Sequence, residues 1–449
     1  MKKGSFSECI IIAWPLVLAM ASSALMMFAD RLFLARYSAV SIQAALPAGL
    51  VAFTVLAFLQ SVVAYSGTFV AQYDGAGHRA ATARAMGQGV WLAVLCVPIL
   101  LATLPLGWFF FDLAGHAPAV ASEEKSYYLT LVIANLAIPF VAALSGFFTG
   151  RGFTVLVMVA NIIGNVTNVV LDPFFIWGWC GLPEMGIVGA GVATAIGQFL
   201  ILAILAVAMF REPHLSSKQK RKVAFVWKTP LLLRIVGYGL PAGGHVLLDV
   251  LTFTIFVFIT GRLDALSFSA SNIALSINQL IFAPLLGIGM AATILVGQYQ
   301  GAGDTDAAAR SGRRCVLIGW MYITVVSIVL IVFAAPIIRL FYPHQAPFEF
   351  EAYRSLCTTL MIIFLAWAWI DAVNVILGGA LKGAGDTRFV MLFVAGTELF
   401  LWMPILFWLY LKDFGIVALW LTMPGYVAVA GVGLGLRFIF GKWKKIKMV

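Results

Sequence analysis

Asn168 and Asp172 stand four residues apart in the stretch NVVLDP, with Pro173 immediately after. On a helix that spacing sets an amide and a carboxylate on one face. Proline lacks an N–H, so the carbonyl of Val169, one turn earlier, is freed from its usual partner. A carboxylate, an amide oxygen and a spare backbone oxygen are the hard donors that a small cation such as Na+ prefers. Four further acids, Asp30, Asp249, Asp371 and Glu398, also interrupt long apolar runs. What these groups can do depends on whether their surroundings are water or hydrocarbon.

The composition answers for hydrocarbon. Of the 449 residues, 62% are hydrophobic and only 11% are charged, too few charges to clothe a soluble domain of this size. Apolar runs long enough to cross a bilayer recur at 8–35, 43–70, 88–112, 126–149, 153–178, 187–210, 231–260, 267–297, 313–340, 355–380, 388–411 and 414–440. Lipid offers no partner to backbone polar groups, so these twelve segments are predicted to be helices packed as a bundle. The expected fold is an all-α integral membrane protein embedded in the lipid bilayer. Five scattered cysteines (Cys9, Cys96, Cys180, Cys315 and Cys357) have no metal-ligand spacing and read as small packing residues.

The net charge of +10 does not point to nucleic acid. With the N-terminus placed in the cytoplasm, only Arg31, Arg36, Lys125, Arg262, Arg339, Arg354 and Lys412 of the 29 Lys and Arg fall outside. That bias predicts both termini on the cytoplasmic side of the membrane. The KQKRK run at 218–222 and the tail KWKKIK at 442–447 then serve as topology signals. The five histidines, His78, His116, His214, His245 and His344, show no convergent partners in the sequence, which argues against an enzyme.

The chain is written twice. VAQYDGAG at 70–77 is echoed by VGQYQGAG at 296–303, and a shift of 226 carries Gln72 onto Gln298, Gly75 onto Gly301, Gly77 onto Gly303 and Arg84 onto Arg310. The same shift carries Pro15 onto Pro241 and Arg36 onto Arg262. The expected organisation is an N-terminal six-helix lobe at 1–210, a basic cytoplasmic linker at 211–230, a C-terminal six-helix lobe at 231–440 and a basic tail at 441–449. Each lobe has an even number of spans, so the two share one orientation and are related by a pseudo-two-fold along the membrane normal. The internal counterpart of the first segment also argues against a cleavable leader, despite Lys2, Lys3 and Ala19-Met-Ala21. The repeated Gly-x-Gly reads as a helix-ending corner, since no Gly-Lys-Ser/Thr follows to make a phosphate loop. TGRGFT at 149–154 and KGAGDT at 382–387 form a second corner pair.

Two lobes with a QYxGAG corner in each, GAGDTR at 383–388, and NVVLDP followed by GIVGAGVAT at 186–194 resemble the multidrug and toxic compound extrusion (MATE) transporters. The resemblance spans the whole chain and implies a secondary antiporter of the cell (inner) membrane that exports cationic, amphipathic organic compounds against Na+ or H+, as a monomer. It implies no other cofactor. In that family the residues matching Asp30, Asn168, Asp172 and Thr194 form the N-lobe cation or proton site. Asp30, Asp172 and Thr194 also fall at one depth, roughly 7–11 Å from the outer helix ends at about 1.5 Å per residue. Asp371 and Asp249, with Asn374 one turn on from Asp371, match acids that one branch of the family uses for a second coupling or substrate site. Arg31 directly after Asp30, and Ala35 where the family carries glycine, depart from the pattern. Glu398 matches no family role. A flippase for lipid-linked oligosaccharide or another lipid precursor is the alternative of the same architecture, and mid-span arginines suited to a polyanion are scarce. Asn161 and Asn165 are expected to pin helices together, and Trp367 and Trp369, near Asp371 in the sequence, are candidates to stack on a cationic substrate.

Overall fold

A computed structural model of the chain describes residues 3–212, 217–340, 342 and 348–449. Lys2, Pro213, His214 and His344 lie outside the described residues. Among the described residues, twelve helices are long and apolar enough to cross a membrane: α1 Phe6–Tyr37, α2 Ala39–Gly75, α3 Arg79–Ala114, α4 Pro118–Gly150, α5 Thr154–Ile176, α6 Gly186–Arg211, α7 Thr229–Thr260, α8 Ala265–Gly301, α9 Thr305–Val332, α10 Phe350–Ala384, α11 Thr387–Leu411 and α12 Gly415–Phe440. The count agrees with the sequence reading, but several helices overrun their apolar runs. α3 begins at Arg79 and α4 at Pro118, because polar turns such as RAATARAM and SEEK continue a helix in water as readily as in lipid. The segment expected at 313–340 is broken near Phe333, where α9 ends and a short helix, Ala334–Leu340, begins.

Two spans carry internal breaks that position side chains. α2 is interrupted at Tyr65 and α4 at Leu136-Ala137, the latter just before Pro139. α11 contains a π-helical turn, Glu398–Trp402, in which one extra residue is accommodated per turn. The basic KQKRK segment is part of a short helix, Lys218–Phe225. Its end is held by Gln88 of α3, whose amide donates to the Val226 carbonyl at 2.9 Å and accepts from the Lys228 N–H at 3.0 Å.

The chain divides into two compact units. One comprises Leu18–Leu247, Gly297–Gly303 and Met448–Val449; the other comprises Met1–Val17, Leu248–Val296 and Asp304–Lys447. In the first, Leu34, Ala44, Ala48, Phe111, Tyr128 and Ile176 belong to one apolar core. Alanines on α2 let α4 approach closely, the small-residue packing on which helices in lipid depend. In the second, Trp402, Trp420 and Phe256 are fully buried together, and Trp420 donates to the Ser271 hydroxyl at 3.1 Å.

The repeated corners resolve into two jobs. Gly77 and Gly303 both take φ +75°, and Gly152 and Gly385 take +84° and +97°, left-handed angles that turn the chain at no steric cost to glycine. Gly75 and Gly301 do something else. A Cβ on Gly75 would strike the Gln298 carbonyl, and one on Gly301 would strike that of Gln72. The two contacts exchange under the same 226-residue shift that relates the repeats.

Candidate functional site

α5 and α6 lie in close contact, and two glycines make this so. A Cβ on Gly197 would stand 2.8 Å from the Gly164 carbonyl and 3.3 Å from the Asn168 Cβ. Across this seam Asn168 donates to the Thr194 hydroxyl at 3.2 Å, and Thr194 donates to the Ala190 carbonyl of its own helix at 2.9 Å. Asn165, one turn earlier, donates to Ser22 at 2.8 Å and Ser23 at 3.1 Å, tying α5 to α1. Asn161 differs from expectation: it donates to the Val157 carbonyl of its own helix at 2.8 Å.

With α1, α5 and α6 so arranged, Asp30 and Asp172 face each other. Asn168 and Asp172 are fully buried, and Asp30 is 9% exposed. Both Asp172 carboxylate oxygens, Asp30 Oδ1 and Asn168 Oδ1 accept from no hydrogen-bond donor. Two buried carboxylates side by side repel when both are ionised and are costly in a low-dielectric interior. Either a shared proton or a cation between them removes that cost, and the oxygen donors present fit both. Arg31 acts electrostatically on Asp30 from the neighbouring position. The sequence reading missed Tyr127 of α4, a buried phenol on which both Asp30 and Asp172 act electrostatically. It sits in the apolar core and resembles the many aromatics of the spans.

The second unit holds another polar cluster. Asn374 donates to Asp371 at 3.5 Å and to the Val427 carbonyl of α12 at 3.0 Å. Asp249 of α7, Asp371 of α10 and Glu398 of α11 act on one another, and all three act electrostatically on Tyr426 of α12. Glu398 is 3% exposed and opens the π-helical turn, and its carboxyl interacts with Asp249 and Thr252. It is the functional candidate to which the sequence alone gave no role. Lys382 also acts on Asp249. Trp369 stacks on Trp320 of α9 at 5.7 Å. Among the described residues no group of three or more His, Cys, Asp or Glu is arranged to hold a metal ion.

Twelve helices of membrane-crossing length in a duplicated, all-α fold, with carboxylates buried inside them, define a polytopic membrane protein. The MatE family model matches residues 15–174 and again 241–408, two matches whose first residues are displaced by the same 226 as the internal repeat, and the chain belongs to the MatE family. The family is one of transporters, so the protein is a transporter and not an enzyme.

The chain is 29% identical over 401 residues to a probable multidrug resistance protein NorM of Bradyrhizobium diazoefficiens, covering 87% of this chain and 83% of that protein. It is 25% identical to the multidrug resistance protein NorM of Vibrio cholerae, over 97% of this chain and 95% of that one. Among solved structures, a MOP-superfamily transporter of Pyrococcus furiosus superimposes with a TM-score of 0.86 at 17% identity, covering 98% of each chain. A multidrug resistance MATE transporter in the outward-facing conformation gives 0.84 at 18% identity, covering 97% of this chain and 95% of that one. At these identities the structural likeness establishes the two-lobe fold alone.

Proposed function

We propose that the protein is a secondary antiporter that exports small organic, amphipathic and cationic compounds in exchange for Na+ or H+ by alternating access. The observation that carries the reading is the Asp30–Asp172 pair, buried in a span and without hydrogen-bond donors on three of its four oxygens. A coupling ion held by Asp30, Asn168 and Asp172, with Thr194 positioning the Asn168 amide, does transport work only by binding one conformation better than the other. Asp371, Asp249 and Asn374, joined by Glu398, form a second acidic region suited to a cationic group and poorly suited to a polyanionic lipid precursor. The related proteins named for multidrug resistance support the export of organic compounds. The bias of Lys and Arg supports both termini on the cytoplasmic side, which puts the α3–α4 and α5–α6 loops outside.

Thermal unfolding of the purified protein tests the site directly. At constant ionic strength, titrating Na+, and separately lowering pH, raises Tm for the ion that binds; saturation at about 100 Kd stabilises by about 2.7 kcal/mol. Asp172→Asn removes that response. Identical responses in both proteins would refute the site.

A further inference from the structure

A cavity of about 460 Å³ lies where α1 and α9 begin, lined by Lys3, Ser5, Phe6, Asp304, Arg310 and Arg314. Three of these side chains are cationic and one is acidic. The acid is already engaged: Asp304 caps α9, its Oδ1 accepting from the Ala307 N–H at 2.9 Å. Glu8, in the first turn of α1, accepts from the Gly4 N–H at 2.7 Å. Asp306, in the first turn of α9, meets Lys444 at 3.8 Å. Among the described residues neither Lys3 nor Arg310 forms an ion pair, and both are exposed. The cavity therefore carries a positive charge that its own acids leave standing.

The internal repeat shows that the fold does not require this charge. Arg314 donates to the Gly4 carbonyl and so lays the chain before α1 on α9. Gly4 permits the approach, with φ +66° and a Cβ that would stand 3.0 Å from the Ala307 carbonyl. The 226-residue shift carries Gln88 onto Arg314 and Lys3 onto Thr229. Gln88 holds the chain before α7 in the same way with a neutral amide, through Val226 and Lys228. Seating the chain takes a hydrogen-bond donor and no charge. Two of the three cations at the cavity thus have neutral counterparts in the repeat.

An apolar track leaves the cavity. Phe6, Ile10 and Trp14 recur every four residues along one face of α1, and Ile10 and Trp14 are each 42% exposed. The tail adds further charge at the same end of α9. Trp443 is buried and stacks on Phe438 of α12 at 5.1 Å, and Phe438 lies against Gly312 of α9. Lys442 and Lys445, on either side of Trp443, are exposed.

We propose that this cavity binds the phosphate of an anionic phospholipid, with an acyl chain lying along Phe6, Ile10 and Trp14. The guanidinium groups of Arg310 and Arg314 present forked N–H donors to phosphate oxygens, and Lys3 adds a point charge. With the N-terminus in the cytoplasm, as proposed above, the lipid comes from the cytoplasmic leaflet, whose anionic headgroups attract basic groups. Binding itself depends neither on that orientation nor on the transported ion or solute.

Native mass spectrometry of the full-length protein, purified in neutral detergent, tests the site. Dioleoyl phosphatidylglycerol and dioleoyl phosphatidylcholine are titrated separately, and inorganic phosphate is added as competitor. One phosphatidylglycerol binds in preference to phosphatidylcholine, and millimolar phosphate at constant ionic strength does not displace it. Lys3→Gln with Arg310→Gln weakens phosphatidylglycerol binding about 25-fold, at about fivefold for each basic side chain near a headgroup, and leaves phosphatidylcholine unaffected. Both side chains are exposed, so the variant keeps its fold. Lys3→Arg with Arg310→Lys retains binding. Lys222→Gln with Lys228→Gln, which removes two exposed charges from the linker, also leaves binding unchanged. An equal loss in the linker variant would overturn the site in favour of diffuse attraction to net charge. Unchanged binding in Lys3→Gln with Arg310→Gln would overturn it outright. Displacement by phosphate would overturn the lipid in favour of a soluble anion.

Discussion

Gly197→Ala is the substitution whose consequence the geometry specifies most fully. An added Cβ stands 2.8 Å from the Gly164 carbonyl, about 0.7 Å inside an ordinary contact distance of about 3.5 Å. Both contacting atoms at Gly164 are backbone, so the helices themselves must separate. An opening of about 0.7 Å takes the Asn168–Thr194 hydrogen bond from 3.2 Å to nearly 4 Å, beyond hydrogen-bonding range. Overpacking of this kind costs about 1–3 kcal/mol, and the lost interhelical hydrogen bond adds about 0.6 kcal/mol. The gain in helix propensity from glycine to alanine offsets up to about 1 kcal/mol. A net loss of about 1–3 kcal/mol is expected.

Gly237→Ala in α7 is the control, since a Cβ there meets nothing within 4 Å and only the propensity gain remains. Thermal unfolding of both variants in detergent, followed by fluorescence-detected size exclusion, gives the comparison. The expected result is a lower Tm for Gly197→Ala, a Tm at or above wild type for Gly237→Ala, and a weakened ion response only in the first. Unchanged stability and ion response in Gly197→Ala would refute the argument that the α5–α6 seam sets the site.

Two further predictions concern the corners and one cap. Gly75→Ala and Gly301→Ala each drive a Cβ into a carbonyl of the other repeat, so each destabilises by about 1–3 kcal/mol. Because both strain the same paired contact, the double variant costs less than the sum, as unfolding of all three variants will show. Asp264, between α7 and α8, accepts from the Ser267 hydroxyl at 2.6 Å and its N–H at 2.9 Å, which holds its carboxyl below the usual range. A lowered folded-state value means the stabilisation is present above the unfolded value and is lost as pH falls through the folded one. Asp264→Ala therefore destabilises at neutral pH, by about 1 kcal/mol, and matches wild type in strong acid. A difference that persists at low pH would refute the assignment.

The twelve spans were legible because apolar runs of bilayer length have few other meanings. Their ends were not, since residues such as Arg79–Met86 and Pro118–Lys125 are helical without being apolar. The partnership of Asn168 and Asp172 could be read from a spacing of four within one helix. Tyr127 could not, because an aromatic in an apolar run looks the same whether it faces lipid or an acid. The Glu398 cluster gathers residues 249, 371, 398 and 426 from four helices, a convergence that no spacing within one helix announces.

The central claim is that a coupling ion acts through Asp172. It is tested most directly by efflux of a fluorescent organic cation from cells or inverted vesicles, under an imposed Na+ gradient and then an imposed pH gradient, with Asp172→Asn measured beside wild type. Efflux that follows one gradient and is lost in the variant, while the variant stays folded in the membrane, is the predicted result and names the ion. Full gradient-driven efflux by Asp172→Asn, or wild-type efflux indifferent to both gradients, would contradict the account.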